Sequence, residues 1–310
     1  MNEFALIARL TSGLATNSSV VTGPGDDCAV LEGGRPGYYL LLKTDAVVEG
    51  IHFTAEAAPE QIGHKALGRC LSDIAAMAGT PLAALVTIAL PKDFQPDFVE
   101  RIYHGLNQLA QRYRTAIVGG ETTTNPERLL LSIVVLGEVP RDKCILRSGA
   151  KGGDALFVSG ALGGSLAEKH LAFEPRLAEA QWLAAHFDIH AMIDLSDGLA
   201  GDLPHILQQS NAGAELMAQA IPISRAAKLQ ARAHPSEKTP LQSALSDGED
   251  FELLFAAPSR QAVAILDGWK EQFPKVRLSC IGRVTRDPGL KIRDKNGVRS
   301  LNAHGYVHFA

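Results

Sequence analysis

Cysteine is scarce: Cys28, Cys70, Cys144 and Cys280 are the whole complement in 310 residues, and no two stand in a C-x-x-C spacing. That argues against a zinc ribbon, a thioredoxin-like redox pair or a disulfide framework. Among ten histidines there is no H-E-x-x-H. Long apolar runs are also missing: Leu82–Pro91 and Leu129–Gly137 fall far short of the roughly 20 residues that span a bilayer. No basic stretch precedes an apolar block near Glu3, so no secretory signal is expected. An excess of positive charge is absent too. Lys plus Arg number 30 against 34 for Asp plus Glu, which argues against gripping nucleic acid or anionic membrane by bulk charge. The expectation is a reduced, cytoplasmic, globular protein.

Familiar nucleotide and hydrolase motifs are lacking as well. There is no G-x-x-x-x-G-K-[ST] loop, no H-R-D with D-F-G, and no G-x-S-x-G elbow. Gly160-Ala161-Leu162-Gly163-Gly164 does not match G-x-G-x-x-G. A protein of this sequence that handles a nucleotide does so through a different kind of site.

What is present is a folded composition, 46% hydrophobic and 21% charged. At roughly 150 residues per domain the length suggests two domains. Val-, Ile- and Leu-rich runs alternate with segments of helical period, giving an α/β class. Strands are predicted at Tyr38–Thr44, Leu85–Leu90, Ala116–Val118, Leu129–Val139, Ala155–Ser159, Ala191–Leu195, Phe251–Ala256 and Val276–Ile281. Helices are predicted at Asn2–Leu10, Pro59–Ala78, Asp97–Tyr113, Arg176–His186, Leu199–Gln209 and Arg260–Gln272. A polar stretch at Pro140–Lys143 followed by the Gly-rich Ser148–Asp154 places a domain boundary near 145, dividing the chain into 1–145 and 146–310. The tetrapeptide Leu-Ser-Asp-Gly occurs twice, at Leu195–Gly198 and Leu245–Gly248.

The positions of the acids carry most of the functional information. Asp26-Asp27, Asp45, Asp73, Glu121, Asp194, Asp197 and Asp247-Gly248-Glu249-Asp250 lie beside Gly, Ser or Thr at predicted strand or helix ends. Crowded carboxylates repel one another unless cations lie between them, and Mg²⁺ is the hard divalent ion suited to such oxygens. Glycines let backbone N–H groups approach phosphate. Together these are the parts of a phosphoryl-transfer site.

Each acid also has a plainer reading. Asp26-Asp27 after Gly-Pro-Gly fits an ordinary turn, and Asp45 fits a strand-end cap. Asp73 shares a helix face with Ala66, Cys70 and Met77, where a carboxylate needs a partner or a metal. Ser196 or Asp197 fits a helix N-cap, though the same place fits a phosphate site.

The ordered motifs match a known family along nearly the whole chain. They are Phe4-Ala5-Leu6-Ile7, Gly25-Asp26-Asp27-Cys28-Ala29, Thr44-Asp45, Gly50-Ile51-His52-Phe53, Lys65-Ala66-Leu67 leading to Leu71-Ser72-Asp73-Ile74-Ala75-Ala76-Met77, and Gly119-Gly120-Glu121-Thr122-Thr123. Arg147-Ser148-Gly149-Ala150-Lys151, Ile193–Leu199, Gly248–Leu253, Gly305-Tyr306 and His308-Phe309 complete the set. The chain resembles the thiamine-monophosphate kinases of the aminoimidazole ribonucleotide synthetase-like superfamily. The resemblance implies a two-domain α/β (α+β) fold whose N-terminal domain pairs across a homodimer. It implies ATP-dependent phosphorylation of thiamine phosphate to thiamine diphosphate, by direct in-line transfer with several Mg²⁺ ions.

Carried over to matching positions, the resemblance makes Asp27, Thr44, Asp45, Asp73, Glu121, Asp194 and Asp197 metal ligands. Asp27, Asp45, Asp73 and Arg147 would carry the transfer, and Gly120, Glu121, Arg147 and Ser196 would face the nucleotide. His52, Glu249 and Tyr306 would contact thiamine phosphate. The chain departs from the family pattern at Lys43 for Ser, Glu121 for Asp and Asp247 for Gly, and the segment from Gly164 to Pro175 is short. The Lys43 ammonium either fills one ion's place or repels that ion. Two alternatives stay open: a purine-type synthetase of the same fold, and a slow paralogue that binds these ligands. Selenophosphate synthetase is disfavoured because no Cys precedes Gly25, and the hydrogenase maturation protein because none lies near Ala310.

Overall fold

The computed structural model describes residues 3–167, 169–301 and 305, except the side chain of Phe4. Two sheets dominate it, each carrying helices. The first is built from β1 (Val20–Thr22), β2 (Ala29–Glu32), β3 (Tyr38–Val48), β4 (Thr80–Leu90), β5 (Ala116–Thr124) and β6 (Leu130–Pro140), in the order β1-β2-β3-β6-β4-β5. Its accompanying helices are α1 (Glu3–Thr11), α2 (Pro59–Ala76) and α3 (Pro96–Arg112). Only β4 and β5 run parallel, because α3 supplies the crossover that a parallel pair requires.

The second sheet joins β7 (Ala155–Ser159), β8 (Ala191–Asp194), β9 (Gly213–Met217), β10 (Leu253–Ala257), β11 (Leu278–Thr285), β12 (Gly289–Asp294) and β13 (Gly297–Ser300). Their order is β13-β12-β9-β11-β7-β10-β8, and β12/β9 is the parallel pair. The helices of this half are α4 (Leu177–His186), α5 (Leu199–Gln209), α6 (Arg225–Ala233), α7 (Pro240–Ser246) and α8 (Ala262–Gln272). Among the described residues no helix is long and apolar enough to cross a membrane.

Helix α2 is central. Most of its residues are buried, and it touches β3, β4 and β6 of the first sheet and α4 and β8 of the second. Its crossing with α3 depends on two glycines. A Cβ on Gly63 would lie 2.0 Å from the Ile102 carbonyl oxygen, and one on Gly105 would lie 1.9 Å from that of Glu60. Bare backbone on both helices therefore sets their approach.

Several predicted boundaries shift. β3 continues to Val48, so Asp45 lies inside an 11-residue strand and is not a strand-end cap. β4 starts five residues earlier than predicted, at Thr80, and β5 runs on to Thr124. Sequence reading missed β1, β2, β9, β12 and β13, which are short or hold Gly, Ala and charged residues of weak strand preference. It also missed α6 and α7, although Thr239 and Gln242 form a capping box at the start of α7.

Candidate active site

Strand alternation decides which side chains of β3 reach the interior. Lys43 and Asp45 lie on the same face as the buried Leu41 and Val47, while the exposed Thr44 points the other way. Opposite this face, α2 presents Lys65, Arg69, Ser72 and Asp73, one to two helical turns apart. Asp27 arrives on the connection between β1 and β2, Asp194 at the end of β8, and Arg147 on the connection between β6 and β7.

Here acids 167 positions apart in sequence converge. Asp27, Asp73 and Asp194 are all buried, and one carboxylate oxygen from each lies within 4.8 Å of the others. Lys43 Nζ donates to Asp73 Oδ1 at 2.6 Å. Arg147 Nη2 donates to Asp27 Oδ1 at 2.6 Å, and Ser72 Oγ donates to Asp194 Oδ2 at 2.6 Å. Asp27 Oδ2, buried, has no hydrogen-bond partner. Positive charge falls short of negative, and the acidities follow. Burial, then the Asp27 charge, pushes Asp194 up to about 6 against the pull of Ser72, Lys43 and Arg147. Burial pushes Asp73 upward; Lys43 opposes the push, and Asp194 and Asp27 add to it. Asp26, which accepts from the Arg147 N–H at 3.1 Å, is raised to about 6 by burial and by Asp27.

A second charge cluster adjoins the first. Arg69 holds Asp45 through Nε at 2.7 Å and Nη2 at 3.1 Å, and reaches Glu249 Oε1 through Nη1 at 3.2 Å. Lys65, fully buried, donates to Glu249 and to the His52 carbonyl, and its Nζ lies 2.8 Å from His170 Nδ1. Burial alone would raise Glu249, but the hydrogen bond with His170 and the charge of Lys65 bring it down to about 2. His52 Nδ1 accepts the Val48 N–H at 3.0 Å. Burial and the Arg69 charge lower His52 to about 4, leaving it neutral near pH 7. Beside these groups is a small cavity of about 70 Å³, lined by His52, Arg69, Ser196, Asp197 and Glu249 among others. A larger cavity of about 760 Å³ surrounds Lys151, Asp154 and His190, away from the clustered acids; chemistry, not size, marks the site.

The repeated tetrapeptide acquires a meaning here. The Glu249 N–H donates to the Ser196 carbonyl at 2.7 Å, and the Phe251 N–H to that of Leu195 at 2.8 Å. Gly248 has φ 74°, and a Cβ there would lie 2.7 Å from the Ser196 oxygen. The two copies pack back to back, and Glu249 is held at φ 55°, a left-handed conformation uncommon for a residue with a side chain.

The structure thus brings together Asp27, Asp73, Asp194 and Arg147, with Asp45, His52 and Glu249 adjoining and Ser196 and Asp197 at the cavity. Helix α5 has Gly198 at its N-cap, so neither Ser196 nor Asp197 caps it; the Asp197 N–H donates to Asp202 Oδ2 at 3.0 Å. Gly120 and Glu121 lie exposed on β5, an edge strand three positions from β3, about 14 Å at ordinary strand spacing. Tyr306 lies outside the described residues. Lys65, Arg69, Ser72 and His170 were not among the expected site residues, although Lys65 and Ser72 stand in the matched motifs. A signal existed for two of them, since Arg69 and Lys65 stand four and eight residues before Asp73 on one helix face.

Asp27, Asp73 and Asp194 fit a hard divalent ion: all three donors are carboxylates, and one buried oxygen lacks a partner. Acids brought together from a loop, a helix and a strand end, in a chain of two sheets that each carry helices, mark a mixed α/β protein with an acid-lined site. Residues 25–139 match the N-terminal domain of AIR synthase related proteins, and residues 133–295 match the C-terminal domain. The chain is 40% identical to a thiamine-monophosphate kinase of Rhodopirellula baltica, over 99% of this chain and 97% of that one. It is 35% identical to the thiamine-monophosphate kinase of Bacillus subtilis, with both chains fully covered. The solved structure "AaThiL complexed with AMPPCP and TMP" superposes with a TM-score of 0.84 at 31% identity, covering 99% of this chain and 97% of the other. The chain belongs to the thiamine-monophosphate kinase family.

Proposed function

We propose that the protein transfers the γ-phosphoryl group of ATP to thiamine phosphate, giving thiamine diphosphate by direct in-line displacement. The observation that carries this reading is the buried convergence of Asp27, Asp73 and Asp194, with an oxygen of Asp27 lacking a partner. The names of the relatives, and the similar protein solved with AMPPCP and TMP, support the choice of substrates.

Mg²⁺ held by these three acids would neutralise charge on the transferring phosphoryl group. The acceptor is a phosphate already anionic at neutral pH, so the step needs no general base; the nearby imidazole of His52 is itself kept neutral. Arg147 sets the position of Asp27 through its guanidinium and would meet the nucleotide phosphates through the same fork. His52, Glu249 and Tyr306 would receive the thiamine moiety, with the Glu249 carboxylate near its cationic ring and the Tyr306 ring against it. Asp197 would join the metal set at the cavity, whereas Asp45 is held by the Arg69 fork, Thr44 points away from the acids, and the exposed Gly120 and Glu121 on β5 would meet nucleotide or metal only apart from this cluster.

We place the domain division near residue 145 and propose that two copies pair through the first sheet. Its exposed Leu42, Leu85 and Val118 support that pairing, which light scattering would test. Incubating the chain with ATP, thiamine phosphate and millimolar MgCl₂, with mass detection, should yield thiamine diphosphate. No product from thiamine phosphate at millimolar MgCl₂ would defeat the assignment.

The contact of Lys43 with Asp73 favours a second reading, a paralogue that binds these ligands but transfers slowly. It requires turnover to rise sharply in the double variant Lys43→Ser, Glu121→Asp. Unchanged or lower turnover would end it.

A further inference from the structure

The acids of the site fall into two groups. Asp45 has both oxygens engaged by the Arg69 fork, and Oδ1 also accepts the Ala46 N–H at 2.8 Å. Asp73 holds the Lys43 ammonium at 2.6 Å. Asp27, by contrast, leaves a buried oxygen without a partner even with Arg147 on its other oxygen. The two cations are fixed by the fold. Lys43 stands mid-strand, its backbone registered against Val135 of β6, with strand alternation directing its side chain inward. Arg69 is tied at its other end to Glu249.

We infer that Lys43 and Arg69 are resident cations of the transfer site, standing on the Asp45 side of Asp73 where a further divalent ion would otherwise bind. Divalent ions are thereby confined to the Asp27–Asp73–Asp194 cluster. This inference rests on the kinase reading with its Mg²⁺ site and goes beyond it by setting where ions bind and how many. An ammonium within hydrogen-bond distance of a carboxylate neutralises it and repels a second cation at short range in a buried setting. Lys43 and Arg69 then serve as positioning residues, holding β3 against α2 with no metal at that contact.

Counting bound ions tests this without reference to turnover. Full-length chain is titrated with Mn²⁺ alone, and free ion is read by electron paramagnetic resonance. The same titration is run on Lys43→Met, which keeps the stem and removes the charge, and on Arg69→Leu. Each variant should bind one more Mn²⁺ per chain than the unsubstituted protein. An equal, non-zero count in all three overturns the inference and leaves the metal-site reading standing; no Mn²⁺ bound by any of them overturns both. Should a variant fail to fold, anomalous scattering from Mn²⁺-soaked crystals of the unsubstituted chain decides. An ion on Asp27 and Asp194 with none on Asp45 supports the inference, and an ion on Asp45 refutes it.

Discussion

Ser72 and Asp194, 122 residues apart in sequence, meet in a buried hydrogen bond of 2.6 Å that joins helix α2 to the last residue of β8. The hydroxyl orients one carboxylate of the acid cluster and ties the helix beside the first sheet to the second sheet. Ser72→Ala should cost about 1–3 kcal/mol, because the buried acceptor loses its donor. It should also lower the apparent Mg²⁺ affinity roughly 10-fold or more, as loss of a ligand's supporting hydrogen bond does. Urea unfolding and Mg²⁺ titration of turnover measure the two effects separately. A stable variant with unaltered Mg²⁺ response would show that the bond serves only the fold.

Asp27→Asn should lower turnover by about 100-fold or more while the chain remains folded. The amide cannot replace a carboxylate toward a hard cation, and Arg147 loses its charged partner. Since the neutral amide no longer raises Asp194 through a negative charge, folding should hold up well in metal-free buffer. Circular dichroism with single-turnover assays checks both parts, and near-normal turnover would remove Asp27 from the site.

Glu252 gives a pH test away from the acids proposed to bind metal. It is buried and receives Ser159 Oγ at 2.6 Å, the Arg176 fork at 2.7 and 2.8 Å, and the Lys169 ammonium. Burial alone would raise it, but Lys169 and then Arg176 bring it from the ordinary 4.5 down to about 2. A lowered acid stabilises the fold fully above its unfolded value and loses that contribution as pH falls through the folded one. Glu252→Gln should therefore cost about 3 kcal/mol at pH 7, where Lys169 loses its partner and Arg176 keeps only Glu179, at 3.5 Å. The gap from the unsubstituted chain should narrow as pH drops from 4.5 toward 2. Denaturant titrations at pH 7, 4.5 and 3 would reveal it; a gap that widens on acidification contradicts the assignment.

Gly63→Ala and Gly105→Ala should each destabilise by about 2 kcal/mol or more, since each added methyl meets a carbonyl oxygen of the facing helix near 2 Å. The double variant should cost less than the sum, because one separation of α2 from α3 relieves both clashes. Thermal unfolding of the three variants measures this; strict additivity would mean that the two contacts are independent.

Much of the site was legible because its chemistry uses short-range signals. Asp73 on an apolar helix face demanded a partner, and the structure supplies Lys43. The long β6 and the helices α2 and α3 announced themselves by period. What could not be read was pairing across the chain. Nothing local told that Arg69 would bridge Asp45 and Glu249, nor that Ser72 would meet Asp194, because register and packing fix those partners. Asp45 looked like a cap because the polar Lys43-Thr44-Asp45 run resembles an ending, yet partners on β6 keep the strand going to Val48. The strands β12 and β13 are short and open on glycine, and β13 offers only one apolar residue, so they carry little signal even though the sheet recruits them.

Helix α2 works as a ruler. Lys65 near Glu249, Arg69 between Glu249 and Asp45, and Asp73 beside Lys43 are marks along one rod, about 12 Å from first to last at 1.5 Å per residue. Its graduations cannot be respaced: inserting or deleting one residue there would turn every later mark by about 100°. Variation in that stretch is thus confined to exchanging side chains, never to altering the count.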